Sequence, residues 1–148
     1  MTADLIGRCA RRAACAAFLI AMVTGAAHAA ENYRVRLTTV PIEARTSAEV
    51  KGSGSATAEL DGARLRITGS FNGLVSPATF GRLHEGSVKG VRGPQIAEFA
   101  VPAAASGSFS AELTLTPAQA QSLRQGRLYL QIHSSGAPDG NLWGWLLP

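Results

Sequence analysis

Over residues 33–40 apolar and polar side chains alternate, with Tyr33, Val35 and Leu37 on one side and Arg34, Arg36 and Thr38 on the other. A period of two marks a strand with one face buried and one in water. The same pattern returns twice. Ala56, Ala58 and Leu60 oppose Ser55, Thr57 and Glu59, and Leu65, Ile67 and Phe71 oppose Arg64, Arg66 and Thr68. Asp61-Gly62 separates these two runs, and that dipeptide accepts the positive φ angles of a type I′ turn, so the pair reads as a hairpin. Further strands are expected over 78–84, 95–101 and 107–115, the last with Phe109, Ala111, Leu113 and Leu115 on a single face.

The alternation breaks at Thr116-Pro117-Ala118-Gln119, which reads as a helix start. Thr116 suits the N-cap, Pro117 the first position, where a missing N–H is harmless, and Gln119 the return bond of a capping box. Gly126 ends the helix about two turns later. Two closing strands follow over 128–133 and 142–147. The chain is therefore expected to be all-β, an antiparallel Greek-key β-sandwich of about eight strands with one short helix. A half-apolar sheet of this size must bury one face against another sheet. A small closed barrel meets the same requirement.

The chain has 148 residues and a formal net charge of +4, but part of that charge lies in its first 29 residues. Arg8, Arg11 and Arg12 precede an apolar run over 13–23, and Ala27-His28-Ala29 supplies small residues where a signal peptidase reads them. Residues 1–29 are thus expected to be a signal peptide cleaved before Ala30, with 30–148 as one exported domain, periplasmic or extracellular. The run is too short to span a membrane, and no second candidate span follows. Both cysteines, Cys9 and Cys15, fall in this segment, so the mature domain would lack disulfides and depend on its core. Its 11 Lys and Arg against 9 Asp and Glu leave a net of +2. No basic stripe is interleaved with stacking aromatics, which argues against nucleic acid as a partner.

Several spaced motifs resemble the CHRD domain, named for chordin. They are Phe71-Asn72-Gly73-Leu74 with Ala78-Thr79, Leu83-His84-Glu85-Gly86 with Gly93-Pro94, Leu115-Thr116-Pro117-Ala118-Gln119 with Leu123, and Tyr129-Leu130-Gln131-Ile132-His133 with Pro138, Gly140 and Gly144. The resemblance covers nearly all of the mature chain. It departs from the family pattern at Arg82, where a first histidine is usual, at Asn141 in place of glutamate, and at Trp143 in place of arginine. It implies an exported module of the non-enzymatic kind. The cysteine-rich repeats that accompany the domain in chordin are absent, so growth-factor binding is not carried over.

Strand alternation puts Arg82 with His84 on one face, and Tyr129, Gln131 and His133 on one face of another strand, so two polar strips would meet if those strands are neighbours. A histidine near one strand end and a second at a later strand end is similar to copper-zinc superoxide dismutase, itself a Greek-key sandwich. By that resemblance His84 and His133 match two copper ligands, and copper or zinc would be the cofactor. Arg82 would stand in the place of a third ligand. The competing reading makes the imidazoles hydrogen-bonding anchors that tie loops to the fold, with Tyr129 anchoring a neighbouring corner through its hydroxyl. Trp143 and Trp145 point the same way on a regular strand. They are either the largest pieces of the core or a platform for a partner on the outer face.

Other chemistries find no support in the spacing. No serine sits in a G-x-S-x-G elbow, and Asp61 and Asp139 each precede a turn glycine. Glu59, Glu98 and Glu112 fall at outward-facing strand positions, where a charge keeps a strand soluble. Gly52-Ser53-Gly54-Ser55 lacks the lysine and the helix of a P-loop. The expectation is a non-enzymatic binding or structural module that needs no cofactor and contacts a protein or polymer ligand through Arg82, Tyr129, Gln131, Trp143 and Trp145. A metal-binding or redox protein using His84 and His133 is the alternative.

Overall fold

The computed structural model describes residues 29–42 and 48–148. The signal peptide expected over 1–29 lies outside the described residues except for Ala29. The chain forms β1 (Glu31–Thr39), β2 (Ser53–Asp61), β3 (Arg64–Asn72), β4 (Ala78–Glu85), β5 (Gln95–Phe99), β6 (Gly107–Thr114), α1 (Pro117–Arg124), β7 (Leu128–Ser134) and β8 (Ala137–Trp145). All pairings are antiparallel, in the order β5-β4-β7-β8-β1-β2-β3-β6.

One continuous sheet therefore replaces the two separate layers expected of a Greek-key sandwich, and the wall is barrel-like. Strand β1 makes the difference. It pairs with β2 from Glu31 to Leu37, then with β8 at Thr38 and Thr39, and Arg34 bridges to Leu147 further back. Between these contacts a Cβ on Gly144 would strike the Arg36 carbonyl and the Val35 side chain, so only glycine lets β8 run this close to β1. The remaining gap lies between the edge strands β5 and β6, where the Phe99 and Phe109 rings stack with centroids 5.6 Å apart. The sheet is thus nearly closed.

The interior is filled by the apolar parity of each strand. Val35, Leu37, Leu60, Leu65 and Ile67 meet Leu83, Leu130, Ile132 and Leu142 in one cluster, each worth about 1.5–3 kcal/mol when fully buried. The β2–β3 hairpin forms where expected, but its two turn residues are Gly62 and Ala63, one position later than Asp61-Gly62, with Gly62 at φ 61°.

Helix α1 connects β6 to β7 and forms its capping box as the sequence predicts: Gln119 N–H donates to Thr116 Oγ1 at 3.2 Å, and Thr116 N–H donates to Gln119 Oε1 at 2.8 Å. It turns Ala120, Ser122 and Leu123 inward. Arg124, in its last turn, grips Glu31 with Nε and Nη2, tying the helix to the start of β1. The same carboxylate accepts from the Tyr33 hydroxyl at 2.8 Å. Burial first, then this bond and the carboxylate's charge, push the Tyr33 phenol up to about 12. No helix among the described residues is long and apolar enough to cross a membrane.

Candidate functional site

Every residue of β7 is buried, on both faces. Leu128, Leu130 and Ile132 face the barrel interior. The opposite parity, Tyr129, Gln131 and His133, faces outward, where a barrel strand would ordinarily meet water. Two pieces of chain cover this outer face. In the β7–β8 hairpin Ser134 pairs with Ala137 and Ile132 with Leu142, so β8 carries three more residues than β7 between these pairs. The extra length folds over β7. The Pro138 carbonyl accepts from His133 Nδ1 at 2.8 Å, and the Asp139 carbonyl accepts from Gln131 Nε2 at 2.9 Å. At the next residue, Gly140 has φ 126°, and a Cβ there would collide with the Gln131 amide. The second cover is the β4–β5 loop, whose Gly93 carbonyl accepts from His84 Nδ1 at 3.1 Å and from the Tyr129 hydroxyl at 3.3 Å.

The register brings the residues singled out by alternation onto this one face. His84 lies opposite Tyr129, Arg82 opposite Gln131, Trp145 opposite Tyr129 and Trp143 opposite Gln131. Tyr129 is the hub of an aromatic group. The His84 ring stacks on it at 4.9 Å, Trp145 packs at 4.7 Å, and Trp143 meets it edge-on at 5.9 Å. Both tryptophans remain half-buried on the outer face and are not pieces of the barrel core. Trp143 also packs against the small cluster of Val40, Val50 and Ala137. Two residues that sequence spacing did not single out complete the surface: Phe80, whose ring lies 4.3 Å beneath the Arg82 guanidinium, and Arg92, 5.6 Å above the Trp143 ring. Their signal was available only in part. Phe80 shares parity with Arg82 and His84, whereas Arg92 arrives from a loop.

The two imidazoles are held alike, at different levels of the sheet. His84 and His133 stand four residues apart in register, which separates their backbones by roughly 13 Å along the sheet at about 3.3 Å per residue. Arg82 lies between them, paired with Glu98 at 3.1 Å. Each Nδ1 faces a carbonyl, which can only accept, so each ring carries its proton on Nδ1 and a lone pair on Nε2. Both Nε2 atoms are buried with no hydrogen-bond partner. Burial lowers the pKa of both rings below the ordinary 6.5, and the nearby Arg82 charge acts in the same direction. Among the described residues no group of three His, Cys, Asp or Glu is arranged to hold a metal ion.

Other polar groups of the covered half are also engaged. Asn141, fully buried, donates from Nδ2 to the Lys51 carbonyl at 2.6 Å and accepts from the Ser134 hydroxyl at 3.1 Å. The glutamate usual at this position in the motif has no proton to give that carbonyl when ionised. Glu85 accepts from the buried Ser122 hydroxyl, which in turn accepts from Arg127 Nη2 at 2.7 Å. On the opposite half of the barrel, Glu112 pairs with Arg64 and Arg66 in water.

The model of the CHRD domain family matches residues 33–146, from the buried Tyr33 of β1 to the residue after β8. No curated protein and no solved structure gives a significant match.

Proposed function

Because the chain belongs to the CHRD domain family, we propose that it works as an exported, non-enzymatic binding module. Its contact surface is the part of the outer face left open on β4 and β8, where Arg82, Trp143 and Trp145 flank the covered β7 and Tyr129 and Gln131 lie buried beneath, and its partner is a protein or polymer of the periplasm or cell exterior. The observation that carries this reading is the pair of half-exposed tryptophans, fixed side by side at 6.2 Å on a face whose other residues are locked by hydrogen bonds. Rigid aromatic rings give a large contact area at low entropic cost, and a preorganised support lowers the cost of binding further. Arg82 and Arg92 rim the same face and suit a partner bearing carboxylate, phosphate or sulfate groups. Export is supported by the place of the expected cleavage site: processing before Ala30 would leave all of β1 intact.

The test is a titration of the exported protein with detergent-washed cell-envelope polymer, read by sedimentation. Saturable binding that falls at least tenfold in Trp143→Ala and Trp145→Ala, with unchanged circular dichroism, is the expected result. Binding that survives both substitutions would remove this face from consideration.

A further inference from the structure

The β4–β5 loop has a fixed root and an open tip. At the root, Gly93 N–H donates to the Tyr129 hydroxyl at 3.1 Å while its carbonyl accepts from His84 and Tyr129. Gly86 N–H donates to the Arg127 carbonyl at 2.9 Å. Neither glycine has room for a Cβ: at Gly93 it would strike the Glu85 carbonyl, and at Gly86 the Val91 carbonyl and the Trp145 ring. Beyond this root a tight turn, closed by Val91 N–H to the Val88 carbonyl at 3.2 Å with Gly90 at φ 90°, directs two valines into water. Val88 is 56% exposed and Val91 47%.

A single exposed aliphatic residue is ordinary, but two held on one pinned turn form a small apolar tip. Lys89 stands at the apex and Arg92 at the base of that tip. No acidic residue occurs from Gly86 to Ala97, and the flanking Glu85 and Glu98 are engaged by Ser122 and Arg82. The half-exposed Trp143 and Trp145 lie directly beside the root, one under the Arg92 guanidinium and the other against Gly86. Apolar tips, unopposed cations and neighbouring tryptophans are what a lipid interface accepts: aliphatic groups enter the headgroup–acyl boundary, cations meet phosphates, and indoles settle at headgroup depth.

We propose that the β4–β5 loop docks the barrel peripherally on an anionic lipid surface. Val88 and Val91 enter the boundary region, and Lys89 and Arg92 meet headgroup phosphates. The contact is reversible and sensitive to salt, since two small aliphatic side chains and two cations are far less than a membrane span. It goes beyond the binding of a partner on the aromatic face: the loop holds the barrel at an envelope surface, and the tryptophan face meets what lies there.

The exported protein is sedimented with vesicles of mixed phosphatidylglycerol and phosphatidylcholine, and with phosphatidylcholine alone. Binding to the anionic vesicles alone is expected, undiminished by an equal concentration of inorganic phosphate. Val88→Asp with Val91→Asp should weaken it more than tenfold, and Lys89→Ala and Arg92→Ala by about fivefold each. The valine double variant should keep its thermal midpoint and its binding to lipid-free envelope polymer, which separates this proposal from the one before it. Absence of binding to anionic vesicles, equal binding to neutral ones, displacement by phosphate, or full binding by the valine double variant would overturn it.

Discussion

From Ser55 to Asp61 in β2 every second residue stands in water, whereas in β7 no residue does. Both strands obey the same parity inside the barrel, with Ala56, Ala58 and Leu60 on one and Leu128, Leu130 and Ile132 on the other. They differ in what becomes of the outer face. On β2 and β3 it carries Thr57, Glu59, Arg66 and Thr68, which are left to solvent. On β7 it carries an amide, an imidazole and a phenol, each hydrogen-bonded to a backbone group of a covering segment. An outer face need not be covered for a barrel to be stable. Where it is covered, and its polar groups are spent on holding the cover in place, the structure has fixed a surface there.

The sharpest way to break this contrast is to remove outer-face side chains from each half. Tyr129→Phe and His133→Ala should each cost about 1–3 kcal/mol, because they leave backbone groups of the covering segments without their partners. Thr57→Ala and Thr68→Ala on the open half should stay within about 0.5 kcal/mol. Denaturant melts of the four variants measure this directly, and equal losses on both halves would remove the distinction.

A smaller effect should appear with pH. His84 and His133 have pKa values held below 6.5 in the fold by burial, so as pH falls the unfolded chain takes up protons first. The contribution of both rings is complete above about 6.5 and is lost progressively as pH drops below it. The end of the barrel near α1 behaves in the opposite sense. Tyr33 is raised to about 12, so its contribution is complete below pH 10 and lost as pH climbs from there towards 12. Thermal midpoints across the acid range should flatten in His84→Gln and His133→Gln. Tyr33→Phe should flatten the alkaline limb alone.

Much of the interior was legible in the sequence. The alternations in β1, β2 and β3 and the Thr116–Gln119 capping box depend on neighbours in the chain, and local pattern reports them faithfully. The start of β8 was not legible. A strand was expected from Leu142 and begins at Ala137, because Pro138-Asp139-Gly140 has the chemistry of a turn and in the fold is the excursion that covers β7. Continuity of the sheet was hidden for a related reason: β1 changes partner at Thr38 without any break in its alternation. Parity correctly grouped Arg82 with His84, and Tyr129 with Gln131 and His133. The reading of both imidazoles and the Tyr129 hydroxyl as anchors that tie loops to the fold holds, but which backbone carbonyls they meet leaves no trace in side-chain spacing. For Trp143 and Trp145 parity gave a shared side, but which side followed only from the pairing of β8 with β7 and β1.

The most direct measurement is amide hydrogen exchange of the protein, free and bound to detergent-washed envelope polymer. A partner on the tryptophan face predicts added protection on binding in β4 (Ala78–Glu85) and β8 (Ala137–Trp145), with β2, β3 and β6 unchanged. Protection on β2, β3 and β6, with the β7–β8 hairpin unaffected, would contradict it.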